Sequence, residues 1–477
     1  MYRFWQNDFL FLSKIYSLAF FILSILILVN YSSTNGDTHV DSLRDALFQT
    51  FSSKGGLLMP ETITPLPKEF LLNLHTFSFK EICLKVCLNL FEDEIPEGDL
   101  EIIIEKVFDF EIPLVEIYEK EVYALELFHG KTLSFKDIGM RFMAELMTYF
   151  LEQDENKKSN KSEKTKEKNT EITILVATTG DTGAASASAF FKREGIKVCI
   201  LYPKNKLSLL QEKQLNTWGE NITALEIDGT FEDCQRLVKE ALTDKELNQK
   251  LQITTSNSYN IARLLPQCLY YFWAVAQLKG EKRTAIFSIP SGNFGNLTAG
   301  IIAKKMGLRI SRFIAATNIN DVVPQYLLNG SFEPRPAVRT ISSSMDTGNP
   351  VNFKRLLNLY NHSYTRFCSD IAGYRLTDRR TKNTLKDLYE GYNYLADPHS
   401  TVAYAALKNY LTPESEVGIF LATAHPAKYY EVVKQTIPDL ELKMPTFLEE
   451  TLRKEKQIVS LSSKMEDLKE FLSSTKN

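Results

Sequence analysis

The sequence has few of the residues that build metal sites or disulfide frameworks. Its 477 residues include six cysteines and six histidines, with no CxxC pair and no HExxH motif. These absences disfavour a zinc site and a disulfide-stapled fold, and they indicate reduced thiols in a cytoplasmic protein. A net charge of −3 gives no general attraction to nucleic acid or acidic membranes. We therefore expect no metal and no nucleic-acid partner.

Two nucleotide-binding signatures are also missing. Lys131 follows Gly130 as in a phosphate loop, but the position five residues before Gly130 is Leu125, inside a strand-like run. The GNFGN segment at 292–296 lacks the GxGxxG spacing of dinucleotide-binding proteins. ATP and NAD are therefore disfavoured as ligands.

Two segments do not fit the pattern of a globular domain. The run from Ile15 to Val29 has no charged residue, is short for a membrane-spanning helix and resembles a signal-peptide core. We interpret residues 1–30 as a hydrophobic leader or as an extension that the working protein lacks, which leaves membrane attachment open. The stretch 152–171 has no apolar residue, so we expect a mobile, Lys-rich surface loop there.

The rest of the chain alternates short apolar runs with amphipathic helical patterns. This alternation predicts an α/β fold in which helices cover parallel sheets. Ligands bind such sheets at the carboxyl ends of the strands, where the turns TTGDTG and SGNFGN are found. The apolar runs lie at 172–177, 197–203, 221–227 and 284–290.

Each turn has both a functional and a purely structural interpretation. Gly292 and Gly295 would let backbone amides at a helix start hold a phosphate, but they would equally serve a plain strand-to-helix turn. In TTGDTG the threonine hydroxyls suit a carboxylate or phosphate, although helix capping by Asp181 or Thr182 is the commoner explanation. The segment NSYNIAR ends in Arg263, whose guanidinium could bind a phosphate or simply face solvent.

Lys136 adds a nucleophile to this set. It stands at the start of an amphipathic segment whose apolar residues recur at helical spacing. A lysine amine forms a Schiff base with an aldehyde, and pyridoxal phosphate is a phosphorylated aldehyde. No motif is decisive alone, but together they favour a covalently held phosphorylated cofactor and an anionic substrate.

The order of the motifs resembles the threonine synthase family, whose members are fold type II pyridoxal-phosphate enzymes. The resemblance runs from about Tyr31 to about Tyr430. It implies two parallel-sheet subdomains of the tryptophan synthase β-like kind. It also implies an N-terminal domain at 31–115, a catalytic region at 116–445 and a C-terminal helical tail at 446–477. The segments that carry the resemblance are ELFHGKTLSFKDIGMRFMAELM, ILVATTGDTGAASASAF, NSYNIARLLPQ, SIPSGNFGNLTAG, SSMDTGNPVNF and TAHPAKYYEVV.

The resemblance also implies a role for each motif residue. Lys136 matches the catalytic lysine that binds the cofactor, and Thr423 matches the residue facing the pyridine nitrogen. Asp181 matches a residue near the hydroxyl of the cofactor ring, where many relatives have asparagine. The implied ligands of the cofactor phosphate are Gly292, Asn293, Phe294, Gly295 and Asn296. The implied ligands of the substrate carboxylate and phosphate are Thr178, Thr182, Asn257, Ser258 and Arg263.

The implied activity is that of a carbon–oxygen lyase, which converts O-phospho-L-homoserine and water to L-threonine and phosphate in the last step of threonine biosynthesis. Two alternatives stay open: a pyridoxal-phosphate-dependent phospholyase or dehydratase of a related amino acid, and a non-catalytic, membrane-tethered homologue. We expect a small-molecule substrate and a monomer or homodimer. Lys131 stands where many relatives have proline, so we interpret Lys136 as catalytic and Lys131 as dispensable.

Overall fold

The structure is a computed structural model that describes residues 30–50, 52, 54–118, 120–159 and 171–474. Its strands form a three-stranded, a six-stranded and a five-stranded sheet, which confirms the predicted α/β class. The predicted leader at 1–30 lies outside the described residues except for Asn30. Among the residues described, no helix has the length and apolar character that crossing a membrane requires.

The N-terminal part of the chain combines a small antiparallel sheet with short helices. The helix at 79–91 starts with a capping box in which Ser78 and Glu81 each accept the other's backbone N–H. The strands are β1 (Tyr31–Ser33), β2 (His39–Val40) and β3 (Leu58–Pro60), in the order β2–β1–β3. The helices span Leu43–Phe48, Lys68–Leu72, Phe79–Phe91 and Glu97–Val107.

The six-stranded sheet is parallel except at one edge. Its strands are β4 (Leu114–Tyr118), β5 (Val122–Glu126), β10 (Thr284–Pro290), β11 (Ile310–Thr317), β12 (Ile371–Arg375) and β13 (Glu416–Ala422). They lie in the order β12–β11–β10–β13–β5–β4, and only β4 is antiparallel to its neighbour. Phe287 and Ile289 enter the central core, whereas Ile286 enters a second core on the opposite face. Burial on both faces explains why this strand is a continuous apolar run.

The five-stranded sheet is parallel throughout. Its strands are β6 (Ile172–Ala177), β7 (Ile196–Pro203), β8 (Ile222–Asp228), β9 (Gln252–Thr255) and β14 (Ile458–Ser462), in the order β14–β8–β7–β6–β9. The prediction of a helical tail at 446–477 is therefore wrong for residues 458–462, because β14 pairs with β8 at the sheet edge. This strand is short, and Ile458 and Val459 are exposed, so it lacks the long apolar run that marks a buried strand.

Helices cover both larger sheets. The longest of them, Lys136–Ser159, is called the lysine helix below; it continues past Glu152, so the expected loop at 152–171 is wrong for residues 152–159. Glu, Gln and Lys are good helix formers and need no apolar partner to extend an existing helix. Residues 160–170 lie outside the described part of the chain.

The remaining helices have the following bounds. The α-helices are Asp181–Phe190, Leu209–Asn216, Phe231–Thr243, Lys245–Lys250, Ile261–Leu264, Leu269–Gln277, Gly295–Lys305, Val322–Asn329, Phe353–Leu359, Tyr364–Asp370, Asp378–Tyr392, Pro398–Tyr410, Tyr430–Thr436, Thr446–Arg453 and Met465–Ser474. One-turn 3₁₀ helices span Leu74–Thr76, Glu92–Glu94, Leu265–Cys268, Ser343–Met345 and Pro426–Tyr429.

Candidate active site

One pocket collects the carboxyl ends of β6, β10 and β13, as expected for parallel sheets. All of the residues that the sequence predicts for the site line this pocket. They are Lys136, Thr178, Asp181, Thr182, Asn257, Ser258, Arg263, Gly292, Asn293, Phe294, Gly295, Asn296 and Thr423. Lys131 does not line it; this side chain is exposed, and its Nζ lies 5.5 Å from the centre of the Trp218 ring.

Lys136 opens the lysine helix, and its side chain is only 12% exposed. Its Nζ lies 3.3 Å from Asp181 Oδ2. Burial lowers the pKa of this amine, and the positive charges of Lys428 and Arg263 lower it further, although Asp181 acts in the opposite direction. A lowered pKa increases the fraction of neutral amine, which is the nucleophilic form.

The turn before Lys136 is fixed by hydrogen bonds to buried groups. The carboxylate of Asp137 accepts the Thr132 hydroxyl at 2.6 Å and the Thr132 backbone N–H at 2.7 Å. The backbone N–H of Phe135 donates to Thr423 O at 2.9 Å, which joins the turn to the end of β13. These bonds hold the lysine amine at a defined place in the pocket.

The turn after β10 forms a cradle for an anion. Phe294 has a φ of 60°, and the helix Gly295–Lys305 starts directly after it. Amides in the first turn of a helix have no partner within the helix, and they carry the positive end of its dipole. A Cβ at Gly292 would come within 2.8 Å of Met345 Cα, so this close approach requires glycine.

Asn296 adds an unpaired donor to this cradle. Its Oδ1 accepts the Tyr271 hydroxyl at 2.6 Å, whereas its buried Nδ2 has no hydrogen-bond partner among the residues that the structure describes. A buried N–H without a partner is costly, and an anion in the cradle would satisfy it. The cradle therefore fits the phosphate of a phosphorylated cofactor.

Asp181 lies at the centre of a buried polar cluster. Its Oδ1 is 2.7 Å from Lys428 Nζ, and its Oδ2 is 3.4 Å from the Tyr429 hydroxyl and 3.3 Å from Ser344 Oγ. Burial would raise the pKa of Asp181, but Lys428 and Lys136 outweigh it and hold that pKa well below its usual range. The aspartate is therefore a fixed negative charge beside the lysine amine.

Thr178 and Asn257 shape the turn after β6. Thr178 Oγ1 accepts the backbone N–H groups of Gly180 and Gly183, both at 2.9 Å. Asn257 donates from Nδ2 to Ala177 O at 2.8 Å and accepts the Ala177 N–H at 3.0 Å. The Asn257 amide is thus committed to the backbone, which favours a positioning role over direct contact with a ligand.

Arg263 is a buried cation with unused donors. It is 6% exposed, and its Nη1 donates to Ser256 O at 2.7 Å. This is its only side-chain hydrogen bond in the described part of the chain, and no carboxylate there is close enough for an ion pair. Burial lowers the pKa of Arg263 to about 10. An anionic ligand in the pocket would supply the missing partner.

The sequence-based prediction missed several lining residues. His399 pairs through Nδ1 with Asp397 at 2.6 Å, and its Nε2 accepts the Ser344 N–H at 3.1 Å, which anchors the segment 343–346 against the pocket. Lys428, which contacts Asp181, was missed as well, although it belongs to the segment TAHPAKYYEVV. No local pattern marks it, because a lysine is expected at the surface.

Family models match most of this chain. The model described as pyridoxal-phosphate dependent enzyme matches residues 111–422. The models described as threonine synthase N terminus and as threonine synthase, C-terminal match residues 30–108 and 400–472. The chain belongs to the threonine synthase family. Its cofactor is pyridoxal phosphate, as predicted.

Individual relatives and solved structures support the same family assignment. A threonine synthase of Haemophilus influenzae is 43% identical over 423 residues, which are 88% of this chain and 93% of the relative. The crystal structure of threonine synthase from Escherichia coli matches with a TM-score of 0.85 and 37% identity, over 94% of this chain and all of that one. A threonine synthase from Brucella melitensis with pyridoxal phosphate bound matches with a TM-score of 0.83 and 32% identity, over 93% and 99%.

These matches confirm the predicted family, its fold and its cofactor. The predicted domain boundaries and the role of each site residue stay predictions within that family.

Proposed function

We propose that this protein is a threonine synthase that converts O-phospho-L-homoserine and water to L-threonine and phosphate. The proposal is carried by one pocket that combines a buried lysine amine, Lys136, with two anion-compatible regions. The cradle at 292–296 suits the cofactor phosphate. Arg263 and the turn after β6 suit the anionic groups of the substrate.

Different pocket residues would bind different parts of the cofactor. Lys136 supplies the amine that binds its aldehyde, and the cradle binds its phosphate. Thr423 and Asp181 line the same pocket and would contact the cofactor ring, Thr423 at its nitrogen and Asp181 at its hydroxyl. When bound, pyridoxal phosphate withdraws electrons from the substrate and acidifies its Cα proton.

Lys136 then acts as the general base. Its neutral amine would remove the proton from Cα of the bound substrate. The lowered pKa of this amine favours the neutral form that can accept a proton. Asp137, in the first turn of the lysine helix, accepts hydrogen bonds from Thr132, and these bonds fix the backbone from which the Lys136 side chain extends.

Arg263 and neighbouring hydroxyls bind the phosphate that leaves from Cγ. The guanidinium offers several N–H donors to the departing oxygens, and burial strengthens each bond relative to one in water. Thr178, Thr182 and Ser258 line the same region and can donate from their hydroxyls. The balance of the reaction requires that a Cβ proton is lost as the phosphate leaves, that Cγ gains a proton to become the methyl group, that the hydroxyl group of water adds at Cβ, and that the Cα proton is restored.

We also place the enzyme in the cytoplasm, as a monomer or homodimer. The six cysteines are all free, and five of them are buried, as suits a reducing compartment. Cell fractionation and analytical ultracentrifugation of the full chain test these two points.

Replacing Lys136 tests the function most directly. Purified protein with pyridoxal phosphate should release threonine and phosphate in equal amounts from O-phosphohomoserine. Lys136→Ala should lower turnover by about a thousandfold or more, because no other group both binds the cofactor aldehyde and accepts the Cα proton. Lys131→Ala is the matched control and should stay active.

The products decide between the candidate activities. Phosphate release without threonine would identify a phospholyase instead. A Lys136→Ala variant that keeps a tenth of the activity would overturn the assignment of the catalytic lysine.

A further inference from the structure

We propose that Lys428 is a positioning residue that acts as the charge partner of Asp181 and so leaves the Lys136 amine free to react. The proposal depends on the proposed threonine synthase function in one respect: the Lys136 amine must be neutral to bind the aldehyde of the cofactor.

Asp181 contacts the ammonium groups of two lysines in the structure. Lys428 Nζ is 2.7 Å from Asp181 Oδ1, whereas Lys136 Nζ is 3.3 Å from Asp181 Oδ2. The carboxylate is thus shared, and its shorter contact is with Lys428. All three side chains are almost withdrawn from solvent, so their mutual charges are weakly screened.

The backbone places Lys428 for this contact. The residue lies in the one-turn helix Pro426–Tyr429, which is separated from the end of β13 by three residues. Its Nζ also donates to Thr132 O at 2.8 Å. Thr132 in turn binds Asp137, the neighbour of Lys136, so one ammonium group contacts both Asp181 and the turn that carries the reactive lysine.

Two lysines compete for one carboxylate. If Lys428 were neutral, the full negative charge of Asp181 would stabilise protonated Lys136 and raise the pKa of that amine. With Lys428 present, the second positive charge opposes protonation of Lys136. Among the residues described, the other titratable or charged groups near this cluster are Arg263, Tyr429, His399, His425, Asp137 and Asp346. None of them replaces Lys428, because among the residues described Lys136 and Lys428 supply the two ammonium groups in contact with Asp181.

The test measures the charge state of Lys136 without any turnover. Full-length protein freed of cofactor is mixed with pyridoxal phosphate, and the visible absorbance reports condensation with Lys136 as a function of pH. In Lys428→Met the midpoint of this rate profile should move to higher pH by about one to three units, since an unopposed charge at this distance shifts a pKa by that amount.

A double variant separates charge from structure. Lys428→Met with Asp181→Asn removes both charges, so its midpoint should fall back below that of Lys428→Met alone. An unchanged midpoint in Lys428→Met would overturn the proposal, as would a double variant with the same upward shift.

Lys428→Gln covers the case in which the methionine variant does not fold. Its amide can still donate to Thr132 O but carries no charge, so its midpoint should rise as in Lys428→Met. If Lys428→Gln keeps the wild-type midpoint, Lys428 only supports the turn and the proposal is wrong. Product analysis with O-phosphohomoserine is independent of this midpoint, so a failure of the proposed function is recognised separately.

Discussion

Two buried arginines, Arg263 in the pocket wall and Arg355 beneath it, use their charges differently. Arg355 is 0% exposed, and burial lowers its pKa to about 9. Its guanidinium makes five hydrogen bonds of 2.6–3.2 Å, all to neutral oxygens. The acceptors are the backbone carbonyls of Leu58, Ser258 and Tyr259 and the side chain of Asn352.

Arg263 is almost as buried but makes one such bond within the described part of the chain, to Ser256 O. Neither arginine has a carboxylate partner there. Burial removes both guanidinium groups from water, so both need hydrogen-bond acceptors elsewhere. Arg355 satisfies all five of its N–H groups within the protein, whereas most N–H donors of Arg263 stay available to the pocket.

The bonds of Arg355 show what a satisfied buried cation does. They join β3 of the N-terminal sheet to the segment 258–259 in the pocket wall. Asn352 extends the connection, because its Nδ2 donates to Asn293 O in the cradle at 2.9 Å. Arg355 thus connects the scaffold of both regions that we propose to bind anions, while Arg263 is available to a ligand.

The largest expected effect is on stability, in Arg355→Met. The change leaves three carbonyl groups and one side-chain amide oxygen without these donors, and each unsatisfied buried acceptor costs roughly 1–3 kcal/mol. The free energy of unfolding should fall by about 4 kcal/mol or more. Urea unfolding followed by circular dichroism measures it, with the exposed Arg366→Met as control. Equal stability of the two variants would show that Arg355 has no such structural role.

A smaller effect, on activity, is expected from Arg263→Lys. An ammonium group cannot reproduce the forked contact with phosphate, and a charged hydrogen bond is worth roughly 1.5–3 kcal/mol, so kcat/KM should fall about ten- to a hundredfold. Thermal unfolding should hardly change, in contrast to Arg355→Met. Pyridoxal phosphate should bind as in the wild type.

Separate titrations with cofactor and with substrate check this division. If Arg263→Lys weakens cofactor binding and leaves substrate binding intact, Arg263 serves the cofactor phosphate, and the assignment of the two anion regions must be exchanged.

The two arginines also show which site residues can be predicted from the sequence. Arg263 could be singled out because it follows Asn257 and Ser258 within one motif, and every site residue predicted from motif order lines the pocket. Arg355 has no such signal: its sequence neighbours are typical of a surface helix, and its partners lie 3 to 297 positions away. Contacts of that kind depend on packing, which a local pattern does not reveal.

The fold, too, could be predicted only where a local sequence pattern reports it. Strands buried on both faces, such as β6 and β10, appear as continuous apolar runs. The short edge strand β14 and the polar end of the lysine helix lack an apolar pattern, so the sequence-based prediction assigned both wrongly. Lys428 was missed because a lysine is expected at the surface, and only its pairing with Asp181 permits burial.

The smallest effect is expected at a cation that is not buried at all. Lys131 is the second residue of a turn closed by the bond from Leu133 N–H to Gly130 O, 2.9 Å long. Proline is favoured at that position, and it would reduce the entropy of the unfolded chain by an amount worth roughly 0.4–1 kcal/mol. The loss of an exposed cation–π contact with Trp218 costs roughly 0.5–1 kcal/mol, so the two effects nearly cancel. Lys131→Pro should therefore match the wild type in unfolding midpoint and in kcat/KM. A loss of activity comparable to that of Lys136→Ala would instead mean that the charge on Lys131 influences the pocket. In that case, burial of a lysine or arginine would not show whether it contributes to catalysis.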